Sequence, residues 1–241
     1  MAEKRLVWDL PLRVFHWLLV LCLAGLWVTA KADADYMNWL SSRVDATWMQ
    51  WHFRFGYVVI GLLVFRIIWG FVGPRHARFS NFIPGPSRLF AYLSHGLDRN
   101  SLPTIGHNPA GAIMVIVLIL MVGTQAFSGL FTSDDIVWAG PYNPAVSAAF
   151  AEKMGALHHL NYKLLLWVIG LHIVAILFYA FYKRQMLVPA MIHGYKPATH
   201  VPEHEAISSS QLLKALVIAL LAAGAVYALV QMAPTPQPVG Y

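Results

Sequence analysis

The segment from residue 157 to residue 182 reads LHHLNYKLLLWVIGLHIVAILFYAFY, and it is apolar and long enough to cross a bilayer. It nevertheless carries His158 and His172, fourteen residues apart. At about 100° per residue, this spacing brings the two side chains to within roughly 40° of one helical face, about 21 Å apart along the axis. A polar group in hydrocarbon is costly and usually faces the bundle interior. Two inward imidazoles at two depths therefore suggest two stacked metal or haem sites.

Four further apolar stretches indicate an integral membrane protein. They run from about residue 12 to 30, 49 to 72, 107 to 131 and 211 to 232. Charged residues make up only 12% of the 241 residues, against about 25% in an average soluble domain. Gly73 and Pro74 end the second stretch, and Asn108 and Pro109 form a favourable N-terminus for the third. The sequence predicts an all-α protein with five transmembrane helices.

Two shorter features modify this outline. The tripeptide AKA at residues 30–32 imitates a signal-peptidase site. The preceding apolar region is longer than a signal core and carries His16, Trp17 and Trp27, so we expect a retained helix rather than a leader. Between the second and third spans, the sequence SRLFAYLSHGL predicts a short amphipathic helix at the membrane interface.

The charge pattern predicts the orientation in the membrane. The net charge of +6 comes from basic residues beside apolar runs, which favours juxtamembrane loops over nucleic-acid binding. Basic residues dominate the N-terminus and the second and fourth loops: Lys4, Arg5, Arg13, Arg75, Arg78, Arg88, Arg99, Lys183, Arg184 and Lys196. We expect a cytoplasmic N-terminus and, after five spans, a C-terminus on the periplasmic side of a bacterial inner membrane. The one cysteine, Cys22, lies in no CxxCH motif, which excludes covalently attached haem.

This orientation sorts four histidines into two pairs. His16 and His172 lie towards the inner ends of the first and fourth spans, whereas His52 and His158 lie near the outer ends of the second and fourth. A non-covalent b-type haem needs one imidazole on each face of the porphyrin, supplied by facing helices. The pairs therefore predict two b-type haems, one towards each membrane face. Zinc fits less well, because it needs three or four ligands at one depth and no Asp or Glu lies inside a span.

Other polar residues in and near the spans have alternative interpretations. Taken singly, His16, His52 or His158 would be an ordinary interfacial histidine. Arg54 and Lys163 could pair with haem propionates or extend to lipid head groups, and Arg66 is similar. The remaining histidines lie at helix ends or in loops, where we expect most to be solvated or capping: His76, His95, His107, His159, His193, His200 and His204.

Several motifs together resemble the prokaryotic cytochrome b561 family, which includes the b-type cytochrome subunits of nickel–iron hydrogenases. They are VWDLPLRVFHW, WHFRFGYVVIGLLVFRIIWGFVGPRHARF, GHNPAG and LHHLNYKLLLWVIGLH, in this order over about residues 6–195. The resemblance implies a four-helix bundle with two b-type haems and a quinone as electron partner. Its ligand pattern falls on His16 paired with His172, and on His52 paired with His158. The fifth span departs from the four-helix members.

These observations predict a di-haem domain over residues 1–195, a polar linker over 196–210, and a C-terminal transmembrane helix and tail over 211–241. The expected function is electron transfer between the quinone pool and a periplasmic redox protein such as a c-type cytochrome. The alternatives are a membrane subunit of a nickel–iron hydrogenase and a stand-alone superoxide:quinone oxidoreductase. A haem-free transporter or membrane anchor is disfavoured, because internal repeats and broken helices are lacking.

Overall fold

The computed structural model describes residues 3–31, 47–95, 98–99, 103–134 and 138–234. Among these residues the chain is mostly helical. Its helices are α1 (Leu10–Lys31), α2 (Trp48–Val72), α3 (Phe79–Phe82), α4 (Pro86–His95), α5 (Pro109–Gly129), α6 (Ala148–Phe181), α7 (Leu187–His193) and α8 (Leu212–Gln231). Two three-residue strands, β1 (Lys4–Leu6) and β2 (Tyr195–Pro197), form a small antiparallel sheet.

Five of the described helices, α1, α2, α5, α6 and α8, are long and apolar enough to cross a membrane. The prediction of an all-α, multi-pass membrane protein is therefore confirmed. Many of their large apolar side chains are exposed, including Trp167 at 80% and Leu213 at 77%. In water this exposure would be unfavourable, whereas in a bilayer these side chains contact lipid.

The helix ends follow the predicted local signals. The carboxamide Oδ1 of Asn108 accepts a hydrogen bond of 2.7 Å from the Gly111 N–H, and α5 begins at Pro109, as predicted. The short amphipathic helix is α4. The structure differs at α6, which begins at Ala148, nine residues before the predicted span. Residues 148–156 (AAFAEKMGA) are mostly good helix formers, so the helix continues beyond the apolar segment to a length of about 51 Å.

The chain divides into two compact units, and each of the five long helices contributes residues to both. The first unit consists of residues 1–16, 65–120 and 165–218. Its core includes the fully buried side chains of Val7, Trp69 and Val201. The Gly194 carbonyl accepts hydrogen bonds from the N–H groups of Val7 and Trp8 at 2.9 and 3.0 Å.

Gly194 has φ of +89°, and an added Cβ would lie 2.6 Å from the Trp8 carbonyl oxygen. Glycine tolerates both conditions. The polar segment 196–210 also packs on the N-terminal residues: the N–H of Ala198 donates to Glu3 O, and that of Ile207 to Leu6 O, at 2.9 and 3.0 Å. The domain boundaries at residues 195 and 210 stay a prediction.

The second unit consists of residues 17–64, 121–164 and 219–241. Val59 and Val122, each 2% exposed, and Ala222, 3% exposed, belong to its core. The hydroxyl of Tyr142 donates a hydrogen bond of 2.8 Å to the carbonyl of Leu229 near the end of α8. The first two residues of the AKA tripeptide belong to α1, and the third lies outside the described residues. The first predicted outer loop and the C-terminal tail lie mainly outside the described residues.

Candidate functional site

In the second unit, the ring of His52 on α2 is held by α1. Its Nδ1 lies 3.0 Å from Oγ1 of Thr29, and the ring also hydrogen-bonds the backbone of Leu26. The Thr29 hydroxyl donates its own proton to backbone carbonyls, 2.8 Å to Gly25 O and 3.1 Å to Leu26 O. Since this hydroxyl has only one proton, its oxygen accepts from the Nδ1–H of His52.

His158 on α6 is held by α5 in the same way. Its Nδ1 lies 3.1 Å from the carbonyl oxygen of Gln125 and 3.2 Å from Oγ of Ser128. A carbonyl can only accept, so Nδ1 of His158 carries the proton. The Ser128 hydroxyl donates to Thr124 O at 2.8 Å and to Gln125 O at 3.2 Å.

These contacts favour the same tautomer in both imidazoles. With Nδ1 protonated and hydrogen-bonded, each neutral ring has its remaining lone pair on Nε2. His158 and His52 are also near enough to interact electrostatically. Two neutral imidazoles with free Nε2 lone pairs are the donor set that an iron porphyrin requires. The residues of the second unit therefore fit a b-type haem.

The backbone of α5 comes close to the His158 ring at Gly129. An added Cβ at Gly129 would lie 3.1 Å from Cε1 of His158, so a larger residue there would displace the imidazole. The carboxamide of Asn161, one turn further along α6, donates to Met121 O at 2.9 Å and to Gln125 Oε1 at 2.7 Å. The facing sides of α5 and α6 are thus joined on either side of His158.

The first unit contains the other pair. His16 on α1 and His172 on α6 are near enough for their charges to interact. Both rings are partly buried. The two units therefore contain the same histidine pairs that the sequence predicts: His16 and His172 in the first unit, and His52 and His158 in the second. Among the described residues, no group of three His, Cys, Asp or Glu side chains is arranged to hold a metal ion.

The cationic residues considered for haem propionates lie in different surroundings. Arg54 is exposed, and its guanidinium lies 4.8 Å from the centre of the Trp51 ring. Lys163 is also exposed. Arg66 is only 1% exposed; it donates to the Ala77 carbonyl at 3.3 Å and lies 4.7 Å from the ring centre of Phe79. Arg66 therefore does not extend to lipid head groups.

Two histidines expected to be solvated or capping are neither, and for them that expectation was wrong: His76 is buried and His107 is half-buried. His76 is 8% exposed, and its Nε2–H donates to the Glu205 carbonyl at 2.8 Å. The His107 ring packs against the rings of Trp8 and Phe82, with centres 4.8 and 4.5 Å away. Its Nδ1 is buried with no hydrogen-bond partner among the described residues. Four others are exposed as expected: His159, His193, His200 and His204.

His76 and His107 line a cavity of about 410 Å³ in the first unit. Its other lining residues mix apolar, polar and charged side chains: Arg75, Asn81, Phe82, Arg88, Pro103, Thr104, Ile105, Gly106 and Glu205. Arg75 forms an ion pair of 2.6 Å with Glu205. The volume suits a small organic molecule with a few polar groups.

Burial shifts the ionisation of the groups around this cavity. Burial, together with the nearby charges of Arg66 and Lys196, lowers the pKa of His107 to about 3. Burial likewise lowers the pKa of His76 and brings that of Lys196 to about 8. The two histidines are therefore neutral at pH 7 and offer a hydrogen-bonding surface without charge.

Comparison with known proteins gives one family. The sequence model of the prokaryotic cytochrome b561 family matches residues 7–194. The chain is 25% identical over 222 residues to the probable Ni/Fe-hydrogenase 1 B-type cytochrome subunit of Escherichia coli K12, covering 79% of this chain and 89% of that protein. It is 24% identical to the probable Ni/Fe-hydrogenase B-type cytochrome subunit of Azotobacter vinelandii, covering 79% and 87%. No solved structure matches.

Proposed function

Since the chain belongs to the prokaryotic cytochrome b561 family, a family of haem proteins in membrane electron transfer, we propose that it is a di-haem b-type cytochrome of the bacterial inner membrane. It exchanges electrons between the quinone pool and a periplasmic redox protein such as a c-type cytochrome. In this proposal His16 and His172 hold one haem, and His52 and His158 hold the other. Each bound haem supplies a one-electron ferric–ferrous couple.

One observation carries the haem assignment furthest: Nδ1 of His52 and of His158 is hydrogen-bonded, at 3.0 Å to Thr29 and at 3.1 Å to Gln125. A histidine held in this way presents a fixed Nε2 lone pair, as metal-binding histidines usually do. The separation of the four histidines into two units supports two haems rather than one.

The cavity in the first unit supports exchange with a quinone. A quinone head group is flat and apolar, with two carbonyl oxygens that accept hydrogen bonds, and the cavity combines Phe82 and Ile105 with neutral His76 and His107. Arg88 supplies a positive charge that favours the anionic forms of a quinone.

The second candidate is a membrane subunit of a nickel–iron hydrogenase. The names of the curated relatives favour it, at 24–25% identity and with coverage of the relatives near 90%. It differs from the first candidate in the redox protein that docks on the cytochrome, not in the haem ligands.

The test is a haem-to-protein ratio with an optical redox titration on the purified protein. We expect two haems per chain and the α and β bands of reduced low-spin b-type haem near ~560 nm. A purified, folded protein that lacks these bands contradicts the proposal. Co-purification of a nickel–iron enzyme from the native membrane would decide for the second candidate, and reduction by quinol with oxidation by a c-type cytochrome for the first.

A further inference from the structure

The same hydrogen-bonding arrangement occurs twice in the second unit. On α1, the backbone of Leu26 and the hydroxyl of Thr29, three residues later, both contact the His52 ring. On α5, the carbonyl of Gln125 and the hydroxyl of Ser128, again three residues later, both contact Nδ1 of His158. Thr29 is 6% exposed and Ser128 is fully buried, so water does not compete for these contacts.

The two hydroxyls also use their protons in the same way. Each donates to the carbonyl four residues earlier at 2.8 Å, and each also lies close to the carbonyl three residues earlier, at 3.1 Å for Thr29 and 3.2 Å for Ser128. A hydroxyl with its proton committed to a helix carbonyl has only acceptor capacity left. Both side chains are therefore oriented as acceptors for an imidazole N–H before any ligand binds.

We propose that Thr29 and Ser128 are positioning residues that act through His52 and His158 to lower the reduction potential of the haem held by this pair. The part of this inference that concerns a haem rests on the proposed function. The part that concerns the histidine tautomers rests on the hydrogen bonds alone. An Nδ1–H that donates to an oxygen gives the ring more imidazolate character and makes Nε2 a stronger electron donor. A stronger donor favours ferric over ferrous iron, which lowers the potential.

The test uses variants that remove or keep the side-chain hydroxyl of residue 29 or 128 while the size of the side chain changes little. Thr29→Val replaces the hydroxyl by a methyl group, Thr29→Ser keeps it, and Ser128→Ala removes the second one. Thr124→Val is the matched control, because it makes the same exchange on α5 at a residue that contacts Ser128 through its backbone carbonyl. All four are compared with the wild type by optical redox titration of the purified holoprotein.

We expect one of the two midpoint potentials to become more positive in Thr29→Val and in Ser128→Ala, with the other unchanged. A tenfold change in the ferric-to-ferrous ratio at a fixed ambient potential corresponds to about 59 mV for one electron. Thr29→Ser and Thr124→Val should titrate like the wild type. Unchanged potentials in both hydroxyl-free variants, or an equal shift in Thr124→Val, would overturn the inference. If Thr29→Val does not assemble, Ser128→Ala decides by the same criterion.

A second readout separates this inference from the proposed function. Nitrogen-15 NMR of histidine-labelled protein prepared without haem reports which ring nitrogen carries the proton. We expect the Nδ1–H tautomer at His52 and His158 in the wild type, and a mixture at His52 in Thr29→Val. A wild type without this tautomer overturns the inference even if haem binds, whereas a protein with the tautomer but no haem contradicts only the proposed function.

Discussion

The indole Nε1–H of Trp69 donates a hydrogen bond of 3.0 Å to Oδ1 of Asp9, sixty residues earlier in the chain. The same carboxylate oxygen accepts the Leu12 N–H at 2.9 Å and so caps α1. Asp9 is 1% exposed and Trp69 fully buried. One buried oxygen thus joins the start of α1 to the end of α2 within the unit that contains His16.

We therefore expect Asp9→Ala to destabilise the protein by about 1–3 kcal/mol, because it removes a helix cap and leaves a buried indole N–H without a partner. Thermal unfolding of the detergent-solubilised protein would show this as a lower Tm. Asp9→Asn keeps an acceptor oxygen and should lose less. Glu203→Ala, at an exposed carboxylate, is the control, and an equal Tm for Asp9→Ala and this control would contradict the structural role.

The neutral His107 predicts a loss of stability in acid. Its pKa is about 3 in the folded protein and about 6.5 in an unfolded chain. Between these values the unfolded state binds the extra proton, so stability falls as the pH drops from 6.5, by up to about 1.4 kcal/mol per pH unit. We expect His107→Gln to flatten the dependence of unfolding free energy on pH between 6.5 and 5. His200→Gln, at an exposed histidine, should leave the slope unchanged; equal slopes in all three proteins would contradict the prediction.

Filling the cavity should impair quinol oxidation without changing the haems. Ile105 lines the cavity, so Ile105→Trp is expected to raise the KM for quinol about tenfold or more, equivalent to at least ~1.4 kcal/mol of lost binding. Ile83→Trp makes the same exchange at a residue that is 47% exposed and not part of the cavity lining, and it should behave like the wild type. Haem content and midpoint potentials should stay constant in both variants. An unchanged KM in Ile105→Trp would exclude this cavity as the quinone site.

Loss of a ligand should remove one haem only. We expect His172→Ala to lose the haem that it would hold together with His16, because only one of the two imidazoles that would hold it remains. The ratio of haem to protein should fall from two to one, with one midpoint potential missing from the titration. Retention of both haems would contradict the assignment.

His159 provides the matched control for the other pair. It neighbours His158, with ring centres 6.2 Å apart, but its side chain is exposed. His158→Ala should lose the haem shared with His52, whereas His159→Ala should keep both haems. A loss of haem from His159→Ala equal to that from His158→Ala would show that the ligand on α6 has been assigned wrongly.

Several features of this protein follow from local chemistry and are therefore visible in the sequence. The apolar length of each span predicts a transmembrane helix, because backbone polar groups in lipid must be satisfied within the segment. Asn108 and Pro109 predict the start of α5, because capping involves only neighbouring residues. The fourteen-residue spacing of His158 and His172 predicts two levels on one helix, because helical geometry is regular.

The tertiary structure decided what surrounds these residues. A sequence contains a Thr at 29 and a Ser at 128, but only the packing of α1 on α2 and of α5 on α6 brings their hydroxyls to His52 and His158. From the sequence, His107 is expected to be a solvated residue at a helix end. In the folded protein its ring packs against the rings of Trp8 and Phe82, which are distant in sequence. Helix formation depends on neighbours along the chain, whereas burial and hydrogen bonding between side chains depend on which helices meet. For that reason the sequence by itself determined the helices and the positions of the histidines along them, and the tertiary structure decided the environment in which each histidine acts.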